Sequence, residues 1–288
     1  MRHTFKTIAL MGKQKKPDVI ATLKKLVVYF TDKKIKLILE EQTAQLLSNN
    51  LPYFSLDCLG KHADLLIVVG GDGSLLGASR SASKQNLPIL GVNCGKLGFL
   101  NDVYPDKIAK IEDILQGNFY EEQRFLLQTQ VTKKNKTVWQ DIALNDTVLL
   151  AGTAGHMISF SVSVDEKFVC NYRADGLIVA TPTGSTAHAL AGGGPILYPE
   201  LDAMVLVPMF SHNLSSRPIV IQAESQVKID LDKNNTEPAR ISCDGQMYVA
   251  TTAGSTVHIG KAREKLRLIH PLDYNYFEAL RTKLHWEN

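Results

Sequence analysis

Residues 64–74, Asp-Leu-Leu-Ile-Val-Val-Gly-Gly-Asp-Gly-Ser, restrict the fold more than any other stretch. Leu65 to Val69 are a continuous apolar run, the pattern of a strand covered on both faces in a parallel sheet. The run breaks at Gly70-Gly71-Asp72-Gly73, and the next segment reads as a helix that Ser74 or Asp72 can cap. A strand ending in glycines at a helix N-terminus is suited to anions, because free backbone N–H groups and the helix dipole point to one place. Gly70, Gly71 and Gly73 form this phosphate loop and let the backbone approach a ligand without Cβ interference. The carboxylate inside it is unusual. Asp72 repels a phosphate, so it caps the helix, works with an intervening cation, or accepts a proton from the group that attacks the phosphate.

A chain of 288 residues can hold two domains, each with its own core. With 44% hydrophobic and 21% charged residues it is ordinary globular protein, and a net charge of +3 is too small to imply a polyanion partner. Cys58, Cys94, Cys170 and Cys243 are scattered without a Cys-x-x-Cys pair, which points to neither a zinc site nor a disulfide framework. The first residues carry too short an apolar core for a signal peptide, and no apolar run approaches the ~18 residues of a membrane span. A cytoplasmic protein without nucleic-acid or membrane partners is expected.

The first ~100 residues alternate β and α. Strands are predicted at Thr7–Met11, Ile35–Leu39, Leu65–Val69 and Pro88–Val92. The first helix has Val19, Ile20, Leu23, Val27 and Phe30 on one face, and a short helix spans Glu41–Asn49. The turn Asn93–Leu100 is Gly-rich and follows a strand, where parallel sheets place ligands. It is not a Walker A loop, and no Gly-x-Gly-x-x-Gly follows a strand, which argues against a conventional dinucleotide-binding dehydrogenase. A helix is predicted from about Pro105 to Leu115. From about Glu121 the chain becomes a series of short alternating strands, and its tail ends as an amphipathic helix through Phe277, Leu280 and Leu284. The expected architecture is an α/β N-terminal domain with a parallel, Rossmann-like sheet (1–120), joined by the tail (271–288), and an all-β domain (121–270).

Two β-domain segments are too polar or too Gly-rich to be mere strands and turns. Asn145 and Asp146 interrupt an apolar strand, so a core hydrogen-bond network or a ligand must satisfy them. An amide matches an adenine edge, and a carboxylate accepts from ribose hydroxyls. The other segment, Asn171–Pro195, runs from a strand at Leu177–Ala180 into Thr181-Pro-Thr-Gly-Ser-Thr and a helix predicted near Ser185. It is either a second anion or polyhydroxyl site or a turn rich in capping residues. Arg173 suits a phosphate, and Asp175 a hydroxyl or an amide. The eight histidines show no metal spacing; His156 and His188 lie in or near the polar segments, and the other six read as surface or packing residues.

Gly70-Gly-Asp-Gly73, Asn93–Leu100, Asn145-Asp146, Asp175-Gly176, Thr183-Gly-Ser-Thr-Ala187 and Cys243-Asp-Gly-Gln246, in this order, resemble the NAD kinases over essentially the whole chain. The loop at 70–73 is shared with phosphofructokinases and lipid kinases, whereas the 183–187 segment with its glycine-rich continuation is more specific. The resemblance is closest to the bacterial enzymes of the family. It implies ATP-dependent phosphorylation of the adenosine ribose 2′-hydroxyl of NAD, giving NADP, with a divalent cation such as Mg²⁺.

It further implies that Asp72 is the proton acceptor and that Gly70, Gly71 and Gly73 lie near the transferred phosphate. NAD would be held by Asp72, Gly73, Asn145, Asp146, Asp175, Thr186, Ala187 and His188, with His156, Arg173 and Gln246 as further contacts. A homo-oligomer, dimer or tetramer, is implied, one subunit completing another's site. Asp146 stands where the family commonly has Glu, and His188 where Tyr is usual. The rivals are another Gly-Gly-Asp-Gly kinase, acting on a lipid or sugar phosphate, and a non-catalytic dinucleotide sensor, whose signature would be loss of the loop carboxylate.

Overall fold

The computed structural model describes residues 4–13, 15–95, 98–153 and 155–286. The chain forms two compact units: one holds the chain up to Gln123 together with that from Lys265, the other holds Arg124–Glu264.

The first unit alternates strands and helices as its sequence pattern requires. They are β1 (Thr7–Met11), α1 (Pro17–Asp32), β2 (Lys36–Glu40), α2 (Glu41–Leu47), β3 (Tyr53–Phe54), β4 (Leu65–Gly70), α3 (Asp72–Lys84), β5 (Ile89–Asn93) and α4 (Ile108–Leu115). Strands β3, β2, β1, β4 and β5 lie side by side in that order, all parallel. The order reverses between β1 and β4, and a sheet of this kind opens its ligand crevice beyond the carboxyl ends of the strands at such a point. The Gly70–Gly73 loop sits at that position. All of Leu65–Val69 is buried, as an apolar run without alternation demands. Helix α1 buries Val19, Thr22, Leu23, Leu26 and Phe30, leaving Ile20 and Val27 half-buried, so its inner stripe is turned by about one residue from the predicted face.

Strand β6 (Phe119–Lys133) carries the chain into the second unit. There follow β7 (Lys136–Ala143), β8 (Asp146–Ala151), β9 (Ile158–Val164), β10 (Lys167–Ala174), β11 (Gly176–Ala180), the single turn α5 (His188–Ala191), β12 (Ala203–Met209), β13 (Ile219–Gln222), β14 (Val227–Leu231), β15 (Ala239–Cys243) and β16 (Met247–Thr251). One antiparallel sheet has the order β13-β12-β11-β8-β15-β16. The other pairs β10, β9, β14 and the start of β17 (Thr256–Pro271). Alternation sorts the side chains. Leu149, Leu177, Val179 and Leu206 join Phe160, Val162, Ile229 and Val257 in one core, whereas Val148, Ile178, Val205 and Val207 pack on the far face with Ala189 and Leu197.

β17 returns the chain to the first unit, where Leu268 pairs in parallel with Ile89 of β5 and adds a sixth strand. The tail helix α6 (Tyr276–Leu284) is capped by the Asn275 side chain, which accepts from the N–H groups of Phe277 and Glu278. It buries Tyr276, Ala279 and Leu280, while Phe277, predicted on the apolar face, is 55% exposed. Among the described residues no helix is long and apolar enough to cross a membrane.

Candidate active site

In the first unit, α3 begins at Asp72 itself, after Gly71 in extended conformation, and no side chain caps it. The expectation that Asp72 or Ser74 caps the helix is thereby corrected, because the loop after β5 supplies better donors. Asp72 Oδ2 accepts from the Phe99 N–H (2.9 Å), and Oδ1 accepts from the Leu100 N–H (3.2 Å) and from Asn101 Nδ2 (3.0 Å). A carboxylate offers about four acceptor positions, so the fixed side chain keeps one in hand on Oδ2. Gly98 makes this approach possible, since a Cβ there would lie 1.8 Å from Asp72 Oδ1. Gly70 is buried with φ +154°, and Gly73 is exposed at the first turn, where N–H groups have no acceptor within the helix. Asn101 and Gly98 were missed as site residues; the only sequence signal was the glycine-rich turn that contains Gly98, two of whose residues, Lys96 and Leu97, lie outside the described residues.

In the second unit, Asn145 and Asp146 sit at the start of β8. Asp146 is fully buried; its Oδ2 lies 3.3 Å from His188 Nδ1. Its Oδ1 and the Asn145 Oδ1 are buried with no hydrogen-bond partner among the described residues. Two unpaired acceptors side by side can take hydrogen bonds from a donor-bearing ligand. The Asp146 carboxylate raises the pKa of His188 through their hydrogen bond, against the opposing effect of partial burial.

A residue that sequence reasoning passed over holds this pair in place. Asp244 accepts from the backbone N–H groups of Leu144 (3.0 Å), Asn145 (2.7 Å) and Asp146 (3.3 Å), and its own N–H donates to the Asp146 carbonyl (2.9 Å). It does so from the β15–β16 turn, where Asp244 and Gly245 have φ of 55° and 64°, the two left-handed residues of an Asp-Gly hairpin. Burial pushes the Asp244 carboxyl up to about 6, the backbone donors opposing the rise and the nearby Asp146 adding to it. From sequence, Asp244 entered only within the Cys243-Asp-Gly-Gln246 motif, with no role of its own.

The hydroxyl-rich segment proves to be internally bonded. Thr181 Oγ1 donates to the Leu144 carbonyl (2.5 Å) and accepts from Gly184 N–H (3.2 Å); Ser185 Oγ donates to Pro182 O (2.6 Å) and accepts from Leu197 N–H (2.9 Å). Thr183 Oγ1 accepts from the buried Arg124 (2.9 Å), and Thr186 Oγ1 donates to Thr183 O (3.1 Å). Instead of a helix near Ser185, a 3₁₀ turn (Gly184–Thr186) leads to the four-residue α5. Its effect is to press Gly184 so close to Asn145 that a Cβ would lie 2.0 Å from the Asn145 carbonyl oxygen. Thr186 and Ala187 are half-buried beside His188, and the exposed Gln246 stands on the Asp244–Gly245 turn, Gly245 itself adjoining His188.

The remaining predicted contacts lie elsewhere in this unit. His156 is exposed between β8 and β9; Asp175 is half-buried between β10 and β11; Arg173 is exposed on β10, lining a polar cleft of about 550 Å³ with Ser159, Asn171 and Lys233. An apolar cleft of about 570 Å³ adjoins His188, lined by Val148, Leu150, Ile178, Met209 and Phe210. Of the other histidines, His3 is outside the described residues, and His270, read as packing, is buried between two carboxylates.

Residues 8–119 match the ATP-NAD kinase N-terminal domain, and residues 144–271 match the ATP-NAD kinase C-terminal domain. The NAD kinase of Coxiella burnetii is 52% identical over 287 residues, covering 99% of this chain and 96% of that one. The NAD kinase of Pseudomonas syringae is 47% identical over 284 residues, covering 98% and 96%. The fold is that of yeast NADH kinase solved with NADH, at a TM-score of 0.89 and 22% identity over 98% of this chain and 88% of that one. An Archaeoglobus fulgidus NAD kinase solved with ATP superposes with a TM-score of 0.74 and 23% identity, over 96% and 99%. The chain belongs to the NAD kinase family.

Proposed function

We propose that the chain is an NAD kinase that transfers the γ-phosphate of ATP to the 2′-hydroxyl of the adenosine ribose of NAD, giving NADP. The observation that carries the mechanism is Asp72: a carboxylate fixed by three donors at the N-terminus of α3, with one acceptor position left on Oδ2. That position receives the proton of the attacking hydroxyl. The backbone at Gly70, Gly71 and Gly73 cradles the donor phosphates, and positioning with charge neutralisation supplies most of the acceleration in phosphoryl transfer.

Asn145 and Asp146 hold the adenosine, their orphaned oxygens accepting from its amino and hydroxyl groups. Asp146 is one methylene shorter than the Glu common in the family, and its hydrogen bond to His188 extends its reach. Thr186, Ala187, His188 and Gln246 complete that wall. Among the described residues no three His, Cys, Asp or Glu side chains converge as a metal site. A divalent cation such as Mg²⁺ would enter with the donor as Mg-ATP and would neutralise phosphate charge; hard cations of this type are commonly carried by substrate phosphates.

The working form is a cytoplasmic homo-oligomer. The apolar cleft beside His188, with Leu150 40% and Phe210 80% exposed, suits burial against a second copy. His156, Arg173 and Asp175 then reach the dinucleotide of a neighbouring subunit. Incubation with Mg-ATP and NAD should give NADP. Asp72→Asn should cut turnover by ~10²–10⁴-fold, the usual contribution of a positioned general base, with NAD affinity nearly intact. If NADP forms under no metal or pH, the rival kinases and the sensor come forward; if the Asn variant keeps its turnover, the proton-acceptor role is wrong.

A further inference from the structure

The loop that fixes Asp72 is itself held at its other end. Asn101 and Asp102 are consecutive, and their side chains go to different partners: Asn101 Nδ2 donates to Asp72, while Asp102 Oδ2 bonds His270 Nδ1. His270 is 1% exposed, and its other ring nitrogen, Nε2, lies 3.1 Å from Glu122 Oε2. Carboxylates at both nitrogens require both to be N–H donors, so the ring is an imidazolium. Burial alone would lower its pKa, but the bonds to Asp102 and Glu122 outweigh this and raise it. Tyr274 stacks on the ring at 4.0 Å between centroids.

The rest of the loop is tied down as well. Val103 bridges Val92 in parallel, its carbonyl accepting from Asn93 N–H (2.8 Å), and Lys283 of α6 lies 5.9 Å from the Phe99 ring centroid. A buried charged triad is an expensive way to fill space, because its desolvation offsets most of its attraction. Its location one residue from the Asp72 ligand gives it a task.

We propose that His270, acting through Asp102, is a positioning residue that sets the 98–102 loop so that Asp72 points its open acceptor at the reacting hydroxyl. The proposal rests on the NAD kinase reading and goes beyond it by assigning a role to a residue contributed by β17. His270→Gln and the isosteric Asp102→Asn should each lower kcat by roughly 10–10²-fold, the effect of an ångström-scale misplacement, while both KM values stay within about twofold. Glu122→Gln leaves the His270–Asp102 contact in place and should keep most of the turnover.

The decisive measurement is a double-mutant cycle with Asp72→Asn, following transfer from γ-labelled ATP. If His270 works through Asp72, His270→Gln or Asp102→Asn should change the residual turnover of the Asp72→Asn enzyme by less than about twofold. Full multiplicative losses in that background, or losses confined to KM, would overturn the positioning role. Should His270→Gln fail to fold, Asp102→Asn, which keeps an acceptor for the ring, is read in the same way. A wild-type chain that makes no NADP would defeat the kinase reading instead, so the two failures are distinguishable.

Discussion

Gly98→Ala separates the chemistry of Asp72 from the stability of the fold. The added methyl would stand 1.8 Å from Asp72 Oδ1 and 2.6 Å from its Cγ, against an ordinary contact of at least 3.4 Å, so the carboxylate is about 1.6 Å too close. What must yield is a short side chain and not a backbone. Asp72 can swing about χ1 toward solvent, since it is only half-buried, and water can replace its three donors. Charge-assisted hydrogen bonds contribute ~1.5–3 kcal/mol each when lost outright. With water in exchange the net destabilisation should be only about 1–2 kcal/mol, or some 2–8 °C in Tm for a chain of this size.

Turnover should fare far worse. An ångström of misplacement alone costs ~10²-fold. The expected signature is thus a fall in kcat of at least ~10²-fold with NAD affinity, which the proposed reading assigns to Asn145 and Asp146, within about twofold. Steady-state NADP formation coupled to an NADP-specific dehydrogenase, beside thermal unfolding, measures both. If Gly98→Ala retained more than about a tenth of the wild-type turnover, the pose of Asp72 described above would not be the working one, and the three donors would be incidental.

Gly184→Ala meets backbone, the Asn145 carbonyl at 2.0 Å, and should destabilise the protein by about 3 kcal/mol or more, the upper range for overpacking, as urea unfolding would show. Asp244 has a folded-state pKa of about 6, above the ~4 of an unfolded aspartate, so the fold binds that proton more tightly. Its stabilising contribution is complete below pH ~4 and lost as pH rises through 6, a swing of about 3 kcal/mol. Wild type should lose about that much relative to Asp244→Asn between pH 4 and 7 in parallel urea titrations, and equal slopes would refute the assignment. The Asn variant, which cannot accept three N–H groups with a charge, should also raise KM for NAD. His188, its pKa raised by Asp146, engages Oδ2 most strongly when protonated. KM for NAD should rise as pH rises through the His188 titration, because the bond that extends Asp146 weakens, and be flat in His188→Tyr.

The sequence announced its architecture where the pattern was physical and local. A run such as Leu65–Val69 can only be a strand buried on both faces, and the alternation of Ile158–Val164 can only be one face of a sandwich. Asn145-Asp146 stood out because polar groups interrupting an apolar strand need partners. What was not legible depends on contacts distant in sequence. Asp244 is 98 residues from Asp146, and His270 is 168 from Asp102; nothing local in Asp-Gly or Ile-His-Pro reveals either. The hydroxyls of Thr181–Thr186 misled for the opposite reason: their chemistry suits a ligand and a tight turn equally, and only the geometry shows the turn consuming them.

The first unit is discontinuous, closed by the strand around Leu268 and by α6 from beyond residue 264. During synthesis from the N-terminus, its five earlier strands therefore wait for their sixth neighbour until the whole β unit has been made. The continuous Arg124–Glu264 unit has no such dependence and can complete its sandwich first. His270, which bonds Asp102 in the loop that fixes Asp72, is made only after that unit. On the proposed reading, a chain clipped before His270 would keep the Asn145–Asp146 pair but lose the residue that steadies the loop holding Asp72, and should lose turnover before dinucleotide binding.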